Sequence, residues 1–322
     1  MQYQHKIQIL GALGVVLLLL LIGTFIFNPD TTFVRQSTSR LLEKQTIQKV
    51  TKIAIKNADL QELTFIKRTG QWYLSRESKE YPVKNQRIED MLKPFGNSFI
   101  IPVRATTAQA HERLGLGASA SHITMWDENT EKPVLDLYFG NPDATGKEIY
   151  FRSANSDVVK SIEDQFSSYI QSSPQSWYDL RLFPQTGTQG LKSELVQKIS
   201  CSGNASGNFS LSRTGQASWS GAGGNLNSKE LDTKKIDSYI QDLINASGDD
   251  FVDTINEQAR VDKTIITLEL GDGRTKKITI ISDHESRSHW ATVTDTPYMY
   301  QLSEWQFNKI VKESAYFIKT EQ

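Results

Sequence analysis

The densest group of chemically capable side chains lies in the stretch SDHESRSHW. It contains Asp283, His284, Glu285 and His289, whose carboxylate and imidazole groups are common ligands of zinc. Adjacent residues of a strand point to opposite faces, so Asp283 and His284 converge poorly on one ion. We therefore favour a solvated hairpin turn between two strands, and we predict neither a metal site nor a cofactor.

Other candidates for chemistry are weaker. Cys201 is the one cysteine, and its alternating apolar surroundings favour a small packed side chain over a nucleophile. The run GAGGN at 221–225 lacks the Lys-Ser/Thr pair of a phosphate-binding loop. Asp127 and Glu128 are adjacent acids, which is more typical of a turn than of an acid–base pair. We assign no catalytic residue and predict that the protein is not an enzyme; an enzyme with an unrecognised site is the second alternative.

Length and charge limit the possible classes of protein. The chain has 322 residues, enough for one large domain or two medium ones. Its formal net charge is −1, so no excess of charge indicates a nucleic acid as partner.

One uncharged apolar run begins at Ile7 and ends at Phe27. As a helix at about 1.5 Å per residue it would span a hydrocarbon core of about 30 Å. No small-residue cleavage site follows it, so we predict an uncleaved signal-anchor and a single-pass membrane protein. Lys6 precedes the run and Asp30 follows it, which favours a cytoplasmic amino terminus and an extracytoplasmic body at the inner membrane.

Two similar phrases indicate an internal duplication. FIKRTGQWYL occupies 65–74 and LSRTGQASWS occupies 211–220. Each phrase predicts a β-hairpin, with Gly70 and Gly215 taking the positive φ that a tight turn needs and a Trp on the return strand. We therefore predict two similar α+β domains, each a mainly antiparallel sheet with helices.

Helical spacing follows both hairpins. In the first half it is carried by Ile88, Met91, Leu92 and Phe95, and in the second by Ile236, Tyr239, Ile240, Leu243 and Ile244. Each half is predicted to close with a further helix, at 158–170 and at 302–311, where Ser303 and Gln306 suggest a capping box.

These elements give a division of the chain. It comprises a cytoplasmic terminus at 1–6, a transmembrane helix at 7–27, a juxtamembrane stalk at 28–45, a first repeat domain at 46–184, a linker at 185–193 and a second repeat domain at 194–322.

Four tryptophans fall in predicted strands, namely Trp72, Trp126, Trp219 and Trp290. We interpret them mainly as core residues. The alternative is that some of them line a groove for a glycan or a peptide, because exposed aromatic rings make binding surfaces.

Seven short motifs follow one another in a fixed order. They are VTKIAIKN at 50–57, GQWYL at 70–74, QRIEDMLKPF at 86–95, ERLGL at 112–116, LYFGNP at 137–142, IYFR at 149–152 and WYDLRLF at 177–183. This ordered set resembles a known bacterial family, the domain of unknown function 4340. The resemblance covers most of 46–260 and is weaker beyond.

The resemblance implies a membrane-anchored extracytoplasmic protein, in some members associated with ABC-transporter components of gliding-type systems. It carries over no catalytic residue. We therefore expect a noncatalytic accessory or scaffold subunit with protein partners, and the alternative is an anchored glycan- or peptide-binding module.

The anchor can be tested by extraction. We expect the full chain to stay in the membrane pellet after an alkaline carbonate wash, because the apolar run must leave lipid to be released. A chain that starts at Thr46 should be soluble. Release of a shortened body would show instead that the run is a cleaved signal.

Overall fold

A computed structural model describes residues 14, 15, 17, 18, 38–57, 62–128, 131–184, 190–203, 205–216, 218–255, 261–283 and 286–320. No helix within these ranges has the length and apolar character that a bilayer crossing requires. Only four positions of the predicted anchor at 7–27 are described. Residues 28–37 of the predicted stalk and 185–189 of the predicted linker lie outside the described residues. Those three assignments stay predictions.

Strands are the commonest regular elements of the described chain. They are β1 Thr38–Ser39, β2 Val50–Lys56, β3 Glu62–Arg68, β4 Gln71–Arg76, β5 Lys79–Pro82, β6 Phe99–Ile100, β7 Val103–Ala105, β8 Ser121–Asp127, β9 Leu135–Pro142, β10 Glu148–Ser153, β11 Val159–Glu163, β12 Val196–Gly203, β13 Phe209–Gly215, β14 Ser218–Gly223, β15 Asp250–Val252, β16 Val261–Leu270, β17 Thr275–Asp283, β18 Ser288–Val293 and β19 Met299–Leu302.

Helices are fewer than strands among the described residues. From residue 38 onward they are α1 Lys44–Gln48, α2 Asn85–Leu92, α3 Ser167–Ile170, α4 Pro174–Trp177, α5 Thr233–Ile244 and α6 Glu304–Ile310, with single 3₁₀ turns at Lys93–Gly96, Ala108–Ala110, Ser193–Leu195 and Ser314–Phe317.

The strands form two large antiparallel sheets. The first sheet has nine strands in the order β5-β4-β3-β2-β8-β9-β10-β11-β7, and the second has eight in the order β14-β13-β12-β16-β17-β18-β19-β15. A small third sheet pairs β1 with β6. The α+β, sheet-rich fold class predicted from the sequence is therefore confirmed.

Each large sheet buries one face against a helix. In the first half, Ile53 and Phe65 point into the core from neighbouring strands, and Ile88 and Met91 meet them from α2. The predicted helical spacing is thus confirmed for α2. The same holds for α5, where five apolar side chains are buried and the carboxylate of Asp232 caps the helix by accepting the backbone N–H groups of the first turn.

The predicted closing helix at 158–170 is wrong. Its first part is strand β11, which pairs with β10 on one side and with β7 on the other, and only Ser167–Ile170 is helical. The β-branched Val158 and Val159 favour a strand, and two neighbouring strands outweigh the helical spacing. The predicted helix at 302–311 is confirmed as α6, and the Ser303 hydroxyl accepts the Gln306 N–H at 3.4 Å.

The two repeated phrases do not lie in the same register. Gly70 has φ 84° and follows Thr69 at φ 47°, so these two residues form the first turn as predicted. Gly215 was predicted to do the same and does not. It pairs with Ser218 as a strand residue after an irregularity at Arg213, so the second turn falls beyond it.

The prediction that Trp72 is a core residue is confirmed. Its side chain is 2% exposed, and its strand contacts α2. The Trp72 N–H donates to the side-chain oxygen of Asn85 at 2.8 Å, and the Lys67 ammonium lies 5.7 Å from the ring centroid. The return strand is thereby fixed to the start of α2.

We expect Trp72→Ala to lower the free energy of unfolding by about 3–5 kcal/mol, because lost burial and a cavity add together. Urea denaturation of the full chain measures this. Trp305→Ala is the matched control, since that ring is 66% exposed, and its midpoint should not move. An unchanged midpoint for Trp72→Ala would contradict the core role.

Candidate functional site

The first and second sheets meet at a contact that we call the seam, formed by the edge strands β5 and β15 and by residues 177–182. At one end of this segment, the Asp179 N–H donates to the Pro82 carbonyl at 2.9 Å. At the other end, the Leu182 N–H donates to the Ala246 carbonyl at 2.9 Å. The segment therefore joins the two halves by backbone hydrogen bonds.

Aromatic rings from both halves pack across the seam. Tyr81 of β5 lies with its ring centroid 4.9 Å from Phe251 of β15 and 5.9 Å from Tyr298. Tyr178 stands edge-on to Phe251, with ring centroids 5.0 Å apart. Contacts of this geometry stabilise a buried interface beyond the area that they cover.

The Asp253 carboxylate is the charged centre of the seam. It accepts hydrogen bonds from three groups of the first half: Arg76 Nη2 at 2.8 Å, Lys79 Nζ at 2.7 Å and the hydroxyl of Tyr81. The Arg76 guanidinium also lies over the Tyr81 ring, 4.7 Å from its centroid. One acid of the second half thus neutralises two bases of the first.

These contacts shift the pKa values of two groups at the seam. The hydrogen bond from Lys79, followed by those from Tyr81 and Arg76, lowers the pKa of Asp253 to about 2. Burial, and then the neighbouring carboxylate, raises the pKa of Tyr81. Asp253 is therefore ionised and Tyr81 neutral at physiological pH, which is the pairing that the hydrogen bond requires.

A cleft of about 440 Å³ opens beside this contact. Its lining includes Lys79, Tyr81 and Asp253 on one side and Thr296, Tyr298 and Met299 on the other. The Tyr298 hydroxyl donates to the carbonyl of Glu80 at 3.1 Å and so links the two halves beside the cleft. We call this the seam cleft; it offers an ammonium group, hydroxyl groups and apolar surface to a ligand.

A second cleft of about 820 Å³ lies wholly within the second half. Arg213, Gln216, Asp237 and Gln241 are among its lining residues, which are almost all polar. The Arg213 guanidinium is stacked on the Trp219 ring, 4.6 Å from its centroid. We favour the smaller seam cleft, because both halves build it and it combines charge with aromatic surface.

The SDHESRSHW stretch forms a hairpin between β17 and β18, as predicted, but its second histidine is not solvated. His289 is buried, stacked on Phe307 at 3.9 Å, and hydrogen-bonded to Ser282 and Glu304. Asp283 accepts from the Ser286 hydroxyl at 2.7 Å. His284 and Glu285 lie outside the described residues. Across the described ranges, no three His, Cys, Asp or Glu side chains form a group suited to a metal ion.

The weaker candidates lie apart from one another. Cys201 is buried beside the Tyr239 hydroxyl, and burial raises the pKa of its thiol to about 12, as a packed residue requires. Asp127 ends strand β8 and Glu128 follows in a turn. The run at 221–225 is the end of β14 and a turn in which Gly223 and Gly224 have positive φ.

The four predicted strand tryptophans divide into two pairs. Trp72 and Trp219 are buried, as the core interpretation predicted, whereas Trp126 and Trp290 are half-buried. Lys52 lies opposite Trp126 in the sheet, with its ammonium 4.7 Å from the ring centroid. The seam cleft is lined by tyrosines instead.

The comparison with family models decides the classification. The model of the domain of unknown function (DUF4340) matches residues 72–265, which is more than half of the chain. The chain belongs to this DUF4340 family. The match spans most of the first half and the opening strands of the second, and it includes the segment at 177–182 and the seam residue Asp253.

Relatives of this DUF4340 protein add little about function. An uncharacterized protein of Treponema pallidum (strain Nichols) is 22% identical over 128 residues, which cover 40% of this chain and 40% of that protein. The matched region thus spans less than half the length of this curated relative. No solved structure matches the chain.

Sequence reasoning named the segment at 177–182 within the motif WYDLRLF but missed the charged and aromatic side chains that meet across the seam. Lys79 and Asp253 are 174 positions apart, and neither lies in a motif. The available signal was aromatic: Tyr81, Phe251 and Tyr298 each stand beside a polar turn, but single rings at turns are common and do not identify one another as partners.

Asp253→Asn should weaken the seam. Because the folded pKa is about 2 and the ordinary value is 3.8, the ion pairs add stability above about pH 4 that is lost as the pH falls towards 2. The carboxylate is 31% exposed, so we expect a loss on the order of 1 kcal/mol at neutral pH.

Urea denaturation at several pH values measures this difference. The difference in the free energy of unfolding between the variant and the native chain should become smaller as the pH falls from 4 to 2. Glu269→Gln is the control, since its ion pair with Lys198 lies within the second sheet and is largely exposed. A difference in the free energy of unfolding that does not change with pH would show that the ionised carboxylate is not the cause of the stability difference.

Proposed function

We propose that this chain is a noncatalytic, single-pass membrane protein that acts as an accessory or scaffold subunit of an envelope complex. The complex that the family resemblance favours is one linked to an ABC transporter of the gliding type. In this proposal residues 7–27 anchor the chain in the inner membrane, residues 1–6 are cytoplasmic, and the two sheets lie outside the cytoplasm. The support for the anchor is the uncharged run from Ile7 to Phe27.

The proposal includes an internal duplication. Strands β2 and β12 are both central, and both show an irregularity after their first residue, at Val50 and Val196. Their cross-strand partners also correspond. Ile53 pairs with Phe65, and Ile199 pairs with Leu211. Each residue of the second pair is numbered 146 higher than its counterpart in the first pair. Apart from the additional β5, the two sheets follow the same strand order.

The seam is the observation that supports the scaffold role. Two sheets joined by buried rings, by backbone hydrogen bonds and by Asp253 present their surfaces to a partner in a fixed relation. Holding two binding surfaces at a set distance and angle is what an assembly subunit requires, since a preorganised surface loses less entropy on binding.

The second candidate function is an anchored peptide- or glycan-binding module. The seam cleft favours it, because its volume of about 440 Å³ falls within the usual range of small-ligand sites. The Lys79 ammonium, already paired with Asp253, lines this cleft, and the rings of Tyr81 and Tyr298 offer surface to apolar groups or sugar rings.

Purification of the full chain from its own membranes in mild detergent tests the scaffold proposal. We expect it to co-purify in fixed ratio with an ABC ATPase and permease encoded beside it. Tyr298→Ala and Lys79→Glu, which alter the seam cleft, should reduce this association if the partner binds there, because they remove a ring and reverse a charge.

Trp305→Ala is the control, because it removes an exposed ring that is not part of the seam cleft. Thermal melts of each variant check that the body is still folded. A chain that purifies alone, and that binds peptides or glycans through the seam cleft, would favour the second candidate. Detection of a catalytic activity that a single substitution abolishes would overturn the proposal that the protein is noncatalytic.

A further inference from the structure

Two of the three exposed large apolar side chains of the described body lie only three positions apart in the chain. Among the residues from 38 onward that the structure describes, the exposed large apolar side chains are Ile100, Val103 and Trp305. Ile100 is 50% exposed and Val103 is 55% exposed. They belong to consecutive strands, β6 and β7, and β7 is an edge strand of the first sheet.

The same place is where the chain enters the body. Thr38 of β1 pairs with Ile100 of β6. Ten residues, 28–37, separate this strand from the end of the predicted anchor at Phe27. Ten residues reach at most about 35 Å when fully extended. A body of this length is about 50 Å across, so its β1 side is held towards the bilayer.

A basic side chain accompanies the apolar ones. Lys160 of β11 is exposed and lies directly opposite Val103 in the ladder, so the two side chains share a face. Apolar side chains beside lysine are the usual composition of a surface that rests on a membrane, where the apolar groups enter the headgroup region and the lysine meets anionic headgroups.

We infer that the β6–β7 edge, defined by Ile100, Val103 and Lys160, is a lipid-contacting surface that rests on the outer face of the membrane holding the anchor. The inference relies on the proposed anchor at 7–27. The one charged side chain of β7, Arg104, is paired with Glu148 of β10 and hydrogen-bonded to Ser161 of β11, whereas Val103 beside it is exposed and uncharged. The lipid surface covers the edge.

Site-specific labelling of the full chain tests this surface. Ile100→Cys and Val103→Cys would be labelled with an environment-sensitive fluorophore and reconstituted into vesicles of phosphatidylcholine and phosphatidylglycerol. The native Cys201 is buried with the pKa of its thiol raised to about 12, so it should not react at neutral pH. The unsubstituted chain checks this directly.

We expect both labels to emit at shorter wavelength and to lose about half of their intensity when doxyl-labelled lipids are included, as a site in the headgroup region would. Trp305→Cys is the matched control, since that exposed side chain lies in the second half, and it should not be quenched. Adding Lys160→Glu should reduce quenching at position 103 in the anionic vesicles but not in pure phosphatidylcholine.

The contrary outcomes are distinct. A blue shift without quenching by doxyl lipids would mean that a second copy or another protein covers the edge, and would overturn the inference. Equal quenching at position 305 would mean that the label itself enters the lipid, and would also overturn it. Separately, carbonate washing of the vesicles reports the anchor: a retained chain without quenching refutes only the lipid surface, whereas a released chain refutes the proposed anchor.

Discussion

The segment from Trp177 to Leu182 is the constraint on which the arrangement of the two sheets depends. Its backbone is bonded to the first half at Pro82 and to the second at Ala246, while the Trp177 ring is fully buried. The Trp177 ring packs on Phe65 of the first half, while Tyr178 packs on Phe251 of the second. Separating the sheets would expose Tyr178 and Phe251, and burying large aromatic side chains is worth several kcal/mol. The indole N–H of Trp177 has no hydrogen-bond partner among the described residues, so packing alone holds this ring, while backbone hydrogen bonds hold the rest of the segment.

The motifs that carry the family resemblance have a structural explanation. In ERLGL, Gly115 has φ 72°, and in LYFGNP a Cβ at Gly140 would lie 2.2 Å from the carbonyl oxygen of Leu114. The Asn141 N–H donates to that same carbonyl at 2.9 Å. The two motifs therefore fix one loop against strand β9, which only glycine at both positions permits. They specify the fold and indicate no reaction.

Local patterns predicted much of the fold, and long-range contacts could not be predicted. The spacing of apolar residues identified α2 and α5, and the polar turns identified the hairpins, because these signals span fewer than twenty residues. The segment at 158–170 was misassigned because its helical spacing competes with pairing to β10 and β7. The seam remained hidden because the partners of Asp253 lie more than 170 positions away, and no periodicity links them.

If the two halves are repeats, as proposed, the seam joins them head to tail. The β5 side of the first sheet meets the β15 side of the second, so β14 and β7 remain as the outer edges. A head-to-tail contact can extend to further copies when the outer edges are complementary. Here β14 lacks a counterpart of β5 and alternates Ser218 and Ser220 towards solvent, whereas β7 exposes Val103. The edge at β7 combines the exposed Val103 with the charged Arg104 and Lys160, whereas the exposed side chains of β14 are two serines and an alanine. The two outer edges are therefore not complementary, which disfavours a second copy as the neighbour of β7.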